Sequence, residues 1–252
     1  MDNTDQMIRD CVARSTNRAE LWINLLRSAN ARHVVEVGVL KGEFASTILR
    51  ECAFISKYYM IDPWRHLDDW NKPANREDEY HEKCFLTAKQ NTDFAGERRI
   101  ILRGKTTEVV DTIPLNDLDV AYLDGDHTLR GITIDVIGLE PRVREGGWIG
   151  GDDFHSSIWQ HSTAFEPTLV FPFSVYFAEA IGARIYGLPY NQFLMVKSAV
   201  KEFKFVDLTG RFSDVGLKGQ FHPDRFLKQK MAEAFPWVRK AAKRMVAKGT
   251  RE

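Results

Sequence analysis

The sequence predicts a doubly wound, mostly parallel α/β sheet with an antiparallel edge. Two observations carry this. Short β-branched or aromatic runs alternate with segments of three- and four-residue apolar spacing from residue 31 to about 181. Near the end, Ala183–Leu188 and Gln192–Val196 form a strand pair around the tight turn Pro189-Tyr190-Asn191.

The elements follow in order. Residues 5–29 read as helix, broken at Ser15-Thr16-Asn17, with Thr16 or Asn17 as the cap of a second helix. His33 to Gly38 is a buried strand, and Gly42 opens a helix. Tyr58 to Asp62 is a second strand, ended by Pro63. Residues 64–79 are polar and Trp-containing, a loop or lid, and 77–94 return to helical spacing. Ile100 to Leu102 is a third strand, Thr107 to Thr112 a short helix, Leu118 to Asp124 a fourth strand, and Leu129 to Val143 a helix. Gly146-Gly147 turns into a fifth strand, Trp148 to Gly151, and a helix runs to about Ile181. With the hairpin this makes seven strands. The expected division is an N-terminal helical extension at 1–30, the α/β domain at 31–198, and a C-terminal helical extension at 199–252 that is basic at its end.

Composition narrows the function. With 252 residues, 44% apolar and 28% charged, the chain can bury one sizeable core. Lys plus Arg balances Asp plus Glu at 35 each, so no global field recruits nucleic acid. Cys11, Cys52 and Cys84 have no CxxC or Cys/His spacing, which argues against a disulfide framework or thiolate metal site. The N-terminal MDNTDQMIRDC lacks an apolar run and no stretch has the length of a membrane span, so the expected compartment is the cytoplasm. The basic residues Arg239, Lys240, Lys243, Arg244, Lys248 and Arg251 suit a solvated helix face or dimer arm better than a peripheral membrane contact.

Ligands of such sheets bind at the carboxyl ends of the strands. The first strand ends in Glu36-Val37-Gly38-Val39-Leu40-Lys41-Gly42, which is not the G-x-G-x-x-G that admits a pyrophosphate. This counts against a nicotinamide enzyme. An acid on that lip attracts a cationic ligand instead. Asp62 stands where an acid accepts ribose hydroxyls, and Trp64 is placed to lie beside a base. Solvated strand-end acids are the plain alternative for Glu36 and Asp62.

The order E-x-G-x-x-x-G, IDPW, LRGKT, LDGDH and GGWIGGDDF resembles class I S-adenosylmethionine-dependent methyltransferases with their Rossmann-like sheet. More narrowly it resembles the group that contains the metal-dependent sugar O-methyltransferases of macrolide and aminocoumarin biosynthesis, over residues 31–197. The first two motifs are shared by many methyltransferases, and the LDGDH and GGDDF pair is the more specific part. The resemblance implies S-adenosylmethionine held by Glu36, Gly38, Gly42, Asp62, Trp64 and Asp124. It also implies magnesium on Asp124, Asp152 and Asp153, and His127 as a base with Asp124 beside it.

The chemistry agrees. A sugar hydroxyl is a weak nucleophile; a hard cation on oxygen ligands favours the alkoxide, and histidine takes a proton near neutrality. Adjacent strand residues point to opposite faces, so Asp152 and Asp153 share a metal only if the strand has ended and the chain turns, which the preceding glycine pair permits. Asp124 as a backbone acceptor, Asp153 as a helix cap and His127 as a first-turn residue are the structural alternatives. His155 and His161 are other candidate bases, and Thr128-Leu129 departs from the family pattern, where an aromatic is common. The expected function is O-methylation of a hydroxyl on a sugar, glycoside, glycolipid or secondary metabolite. A metal-independent methyltransferase and a non-catalytic binding module on the same fold are the alternatives, and homo-oligomers are compatible with either.

Overall fold

The computed structural model describes residues 3–212, 219 and 221–235. Helices α1 (Asn3–Ala13) and α2 (Arg18–Ala29) lead into β1 (His33–Val37), α3 (Glu43–Glu51), β2 (Lys57–Asp62), α4 (Asp78–Thr92) and β3 (Arg99–Arg103). Then come α5 (Thr106–Val109), β4 (Leu118–Leu123), α6 (Leu129–Leu139), β5 (Val143–Gly151), α7 (Val170–Ile181), β6 (Arg184–Leu188), β7 (Gln192–Val196), β8 (Lys204–Asp207) and α8 (Pro223–Ala234).

The sheet has eight strands in the order β3-β2-β1-β4-β5-β7-β6-β8. Strands β1 to β5 are parallel, β7 is antiparallel to both β5 and β6, and β8 runs parallel to β6. The doubly wound sheet and its antiparallel edge are therefore as the sequence predicts. The eighth strand is not. It falls in the stretch read as a helical extension, where four residues with Lys204 and Asp207 at their ends give no strand pattern to read. It is held by aromatic packing: Phe205 and Phe212 join Phe154 and Phe171, with the Phe171 and Phe212 centroids 4.7 Å apart.

Two apolar cores cover the two faces. Residues of α1–α4 pack with Val34, Tyr58 and Tyr122 on one face, and those of α6 and α7 with Val35, Val37 and Leu123 on the other. Leu21, Trp22, Leu25 and Leu26 of α2 lie in the first core, so this helix is built into the sheet's packing. Its start is fixed by Asn17, whose side chain accepts from the Glu20 backbone N–H at 3.0 Å, while Glu20 accepts from the Thr16 N–H at 2.9 Å. All three cysteines are buried and free. Among the described residues no helix is long and apolar enough to cross a membrane. The basic residues from Arg239 onward lie outside the described residues.

The strand order reverses between β1 and β4, and a crevice opens there at the carboxyl ends. Register sets what meets in it. Val37 pairs with Leu123, Leu123 with Gly151, and Gly151 with Phe193. The next residue out on each chain therefore stands at one level: Gly38, Asp124, Asp152 and, on antiparallel β7, Gln192.

Candidate active site

A cavity of about 390 Å³ occupies this crevice, within the ~300–1,000 Å³ range of small-molecule sites. Val37, Gly38, Leu40, Asp62, Pro63 and the Gly104-Lys105-Thr106 turn line one part; Asp124, Gly125, Asp126, His127 and His161 line another. Gly38 has φ +87°, and a Cβ there would lie 2.1 Å from the Asp124 carbonyl oxygen, so no other residue fits this closest approach of the two loops.

Asp62 is buried at the cavity wall. Its Oδ2 accepts from the Leu40 N–H at 2.9 Å and its Oδ1 from the Trp64 N–H at 2.8 Å, which fixes the loop after β1 against the loop after β2. Burial raises its pKa, and these bonds oppose the rise. A carboxylate oxygen with one such bond can accept another.

Three residues expected at the cofactor lie elsewhere. Glu36 shares a sheet face with Val34 because strand side chains alternate. It is buried against Tyr58, whose hydroxyl donates to its Oε2 at 2.7 Å, and it does not line the cavity. Burial pushes its carboxyl up to about 8, with Tyr58 opposing. Trp64 is also in the core, at φ 42°, tilted against Phe85 with its Nε1 donating to the Leu40 carbonyl at 2.7 Å. Its neighbours Pro63 and Arg65 line the cavity in its place. Gly42, in left-handed conformation before α3, touches Ala88 of α4 and serves helix packing.

The LDGDH and GGDDF motifs do meet. Asp152 is held on three sides. Its Oδ1 accepts from the Asp153 N–H at 2.8 Å and from Gln192 Nε2 at 2.6 Å, and its Oδ2 is paired with Arg18 Nη1. The same Arg18 nitrogen is 3.1 Å from Asp124 Oδ2. Asp153, at φ 57°, turns the chain and sends its carboxylate the other way, to Nδ1 of His127. The turn is thus made by Asp153 itself. Gly150 and Gly151 are small for another reason: a Cβ would lie 2.4 Å from the Phe193 carbonyl or 2.1 Å from that of Leu123. Phe154, fully buried among Phe171, Phe193 and Phe212, anchors the far end of the turn.

This arrangement does not fit a resident magnesium ion on Asp124, Asp152 and Asp153. Magnesium takes six oxygens at roughly 2.0–2.1 Å in an octahedron. Here two of the carboxylates converge on one arginine nitrogen and the third is bonded to an imidazole. Among the described residues no group of three or more His, Cys, Asp or Glu side chains is placed to hold a metal. The expected ligands are gathered, and cations of the chain itself occupy them.

His127 is mostly buried. Its Nε2 is 3.6 Å from Asp124 Oδ1 and has no hydrogen-bond partner. Burial disfavours its charge, but the bond to Asp153 and the charges of Asp153, Asp124 and Asp152 outweigh that, and its pKa is raised. Asp153 is lowered: burial works against it, and His127 prevails. Asp124 is pushed up to about 7 by burial and by Asp152, against His127 and Arg18. Of the other candidate bases, His161 lines the cavity, while His155 does not and accepts from the Ser157 N–H in its own loop.

The lid stretch after β2 and the loop between β5 and α7 form one roof. Trp70 Nε1 donates to Asp126 at 3.0 Å, and Asn71 to the Ala164 carbonyl at 3.1 Å. The buried Lys72 ammonium donates to the Glu166 carbonyl at 2.9 Å and to Thr168 Oγ1 at 3.0 Å. Helix α8 rests on the outer loop, with Gln229 donating to the His161 carbonyl and Phe226 packed edge-on to Trp159.

The sequence reading gives Arg18 and Gln192 no role at the site. Only Arg18's place in the first turn of α2 gave a signal, since a cation at a helix N-terminus opposes the helix dipole and asks for an external partner.

Residues 35–154 match the family model described as a methyltransferase domain. No curated protein matches the chain. Solved structures do. One is a candidate caffeoyl-CoA O-methyltransferase from Staphylococcus aureus, 15% identical, over 78% of this chain and 93% of that one, with TM-score 0.56. Another is an O-methyltransferase from Bacillus cereus in complex with SAH, 16% identical, over 79% and 92%, with TM-score 0.53. The SAH-bound Podospora anserina methyltransferase PaMTH1 is 12% identical, over 79% and 88%, with TM-score 0.52. At these identities the likeness is one of fold. The matched segment takes in the glycine turn, Asp62 and the acid cluster: residues 35–154 match a methyltransferase domain, and the chain resembles the class I S-adenosylmethionine-dependent enzymes in motif order and in fold.

Proposed function

We propose that this chain is an O-methyltransferase that uses S-adenosylmethionine to methylate a hydroxyl of a small acceptor, a sugar, glycoside, glycolipid or other secondary metabolite. The observation that carries the reading is His127, a residue of the cavity lining: its Nδ1 is fixed by Asp153 and its buried Nε2 has no hydrogen-bond partner. That is the arrangement of an oriented base awaiting a proton donor.

S-adenosylmethionine, when bound, supplies an electrophilic methyl group on a positively charged sulfur. Gly38 lets the loop after β1 close on the turn after β4 at the cavity wall, Asp62 would accept from ribose hydroxyls, and Gly104 to Thr106 would border the base. Asp124 adds negative charge beside the cavity, favourable to a sulfonium. Glu36, Trp64 and Gly42 contribute by holding strands and loops in place. His127 takes the acceptor's hydroxyl proton at Nε2, and Asp153 stabilises the imidazolium that forms. The roof of residues 64–77 and 155–169 holds the acceptor and excludes water.

Calorimetric titration with S-adenosylmethionine, followed by transfer of labelled methyl to a panel of sugar, glycoside and phenol hydroxyls, tests the reading. Binding plus transfer to a hydroxyl that is lost in His127→Ala supports it. Binding without transfer to any acceptor favours the binding module, and absence of binding overturns it.

A further inference from the structure

Three partly buried carboxylates at two neighbouring strand ends repel each other, and each must be compensated or protonated. His127 compensates Asp153. The other two share Arg18, whose Nη1 touches Oδ2 of both Asp124 and Asp152. Nothing inside α2 calls for an arginine there. It is the first residue of the helix, where the backbone N–H groups already present partial positive charge. The Asn17 cap fixes that first turn and so aims the side chain out of the helix toward the sheet edge. The guanidinium lies 5.3 Å from the Phe44 ring centroid, and Phe44 in turn stacks on Tyr122 at 4.4 Å, which gives it a firm floor. On the opposite side Gln192 locks the second oxygen of Asp152.

We propose that Arg18 is the resident cation of this site: its guanidinium takes the position between Asp124 and Asp152 that a divalent ion would need, so hydroxyl methylation here runs without a divalent metal. The first half rests on geometry alone. The second rests on the function proposed above. A guanidinium cannot ligate an alkoxide through open coordination positions as a metal does, so deprotonation of the acceptor falls to His127. Arg18 is then a positioning residue. It ties the Asp124 and Asp152 carboxylates to the start of α2 and so fixes the acid edge beside His127.

The test is Mn²⁺ titration of the full chain, read by electron paramagnetic resonance and calorimetry, on wild type, Asp152→Asn, Arg18→Ala, Arg18→Lys and the Arg18→Ala, Asp152→Asn double variant. Thermal melts and S-adenosylmethionine binding are recorded on each. The wild type should show no Asp152-dependent site up to about 1 mM Mn²⁺. Arg18→Ala should gain one at least about tenfold tighter, which the double variant loses. Arg18→Lys, which keeps a charge, should behave as wild type. A wild-type site that vanishes in Asp152→Asn overturns the proposal, whether or not Arg18→Ala folds, and so does a folded Arg18→Ala that gains nothing. Failure of S-adenosylmethionine binding alongside the expected Mn²⁺ pattern would sink the function and leave the cation assignment standing.

Discussion

Gln192 donates its amide to Asp152 at 2.6 Å from a position with no solvent exposure at all. The other end of the same amide accepts from Trp22 Nε1 at 2.8 Å and from the Tyr122 hydroxyl at 3.3 Å, so one side chain ties α2, β4 and the acid turn together. Gln192→Ala strands a buried indole N–H and frees one oxygen of Asp152. We expect a loss of about 2–4 kcal/mol in stability from these unpaired groups and the vacated space, read from urea midpoints. Gln192→Glu should be worse for turnover, because it sets a fourth carboxylate against Asp152.

His127→Ala should lower methyl transfer by about 10²–10⁴-fold, the usual share of a general base, with S-adenosylmethionine affinity changed little. His161→Ala, at the same cavity, should retain most of the rate. Single-turnover assays with labelled methyl donor separate the two. A reversed result moves the base to His161.

Gly38→Ala combines a positive φ with a methyl group aimed at the Asp124 carbonyl. The loop after β1 and the turn after β4 must part to admit it. We expect at least about 1–3 kcal/mol of strain and loss of cofactor binding by tenfold or more, measured by thermal melt and calorimetry.

Glu36 predicts a pH effect on stability. Burial lifts its folded pKa to about 8 from the ordinary 4.5, so folding favours the neutral carboxyl. The stability tied to that neutral form is complete below pH 4.5 and is lost as pH rises through about 8. Glu36→Gln keeps an acceptor for Tyr58 and removes the titration. Melts of the two proteins should agree near pH 4.5 and diverge up to pH 8 in favour of the variant. The gap should reach at most about 5 kcal/mol. Parallel curves would show that Glu36 does not titrate in this range.

The elements and the meeting of LDGDH with GGDDF were legible because periodicity and strand-end position are local properties. Glu36 and Trp64 were misread from that same locality. Their motif positions suggested the cavity, yet strand alternation already assigned Glu36 to the face of Val34, and the left-handed Trp64 turns its ring into the core. The metal reading failed for a non-local reason. Arg18 lies far from Asp124 in sequence, and only the packing of α2 on the sheet brings the two together. Gln192 was hidden likewise, since a glutamine at a strand start carries no pattern until the antiparallel register with β5 is known.

The bonds from Asn71 and Lys72 have a kinetic consequence. Two loops nearly a hundred residues apart in sequence are stapled by a buried ammonium and its neighbour, so neither can swing aside alone. Admission of acceptor and departure of product then require one concerted displacement, and relaxation measurements on both loops should report a single shared exchange rate. Lys72→Met would uncouple them into two independent rates.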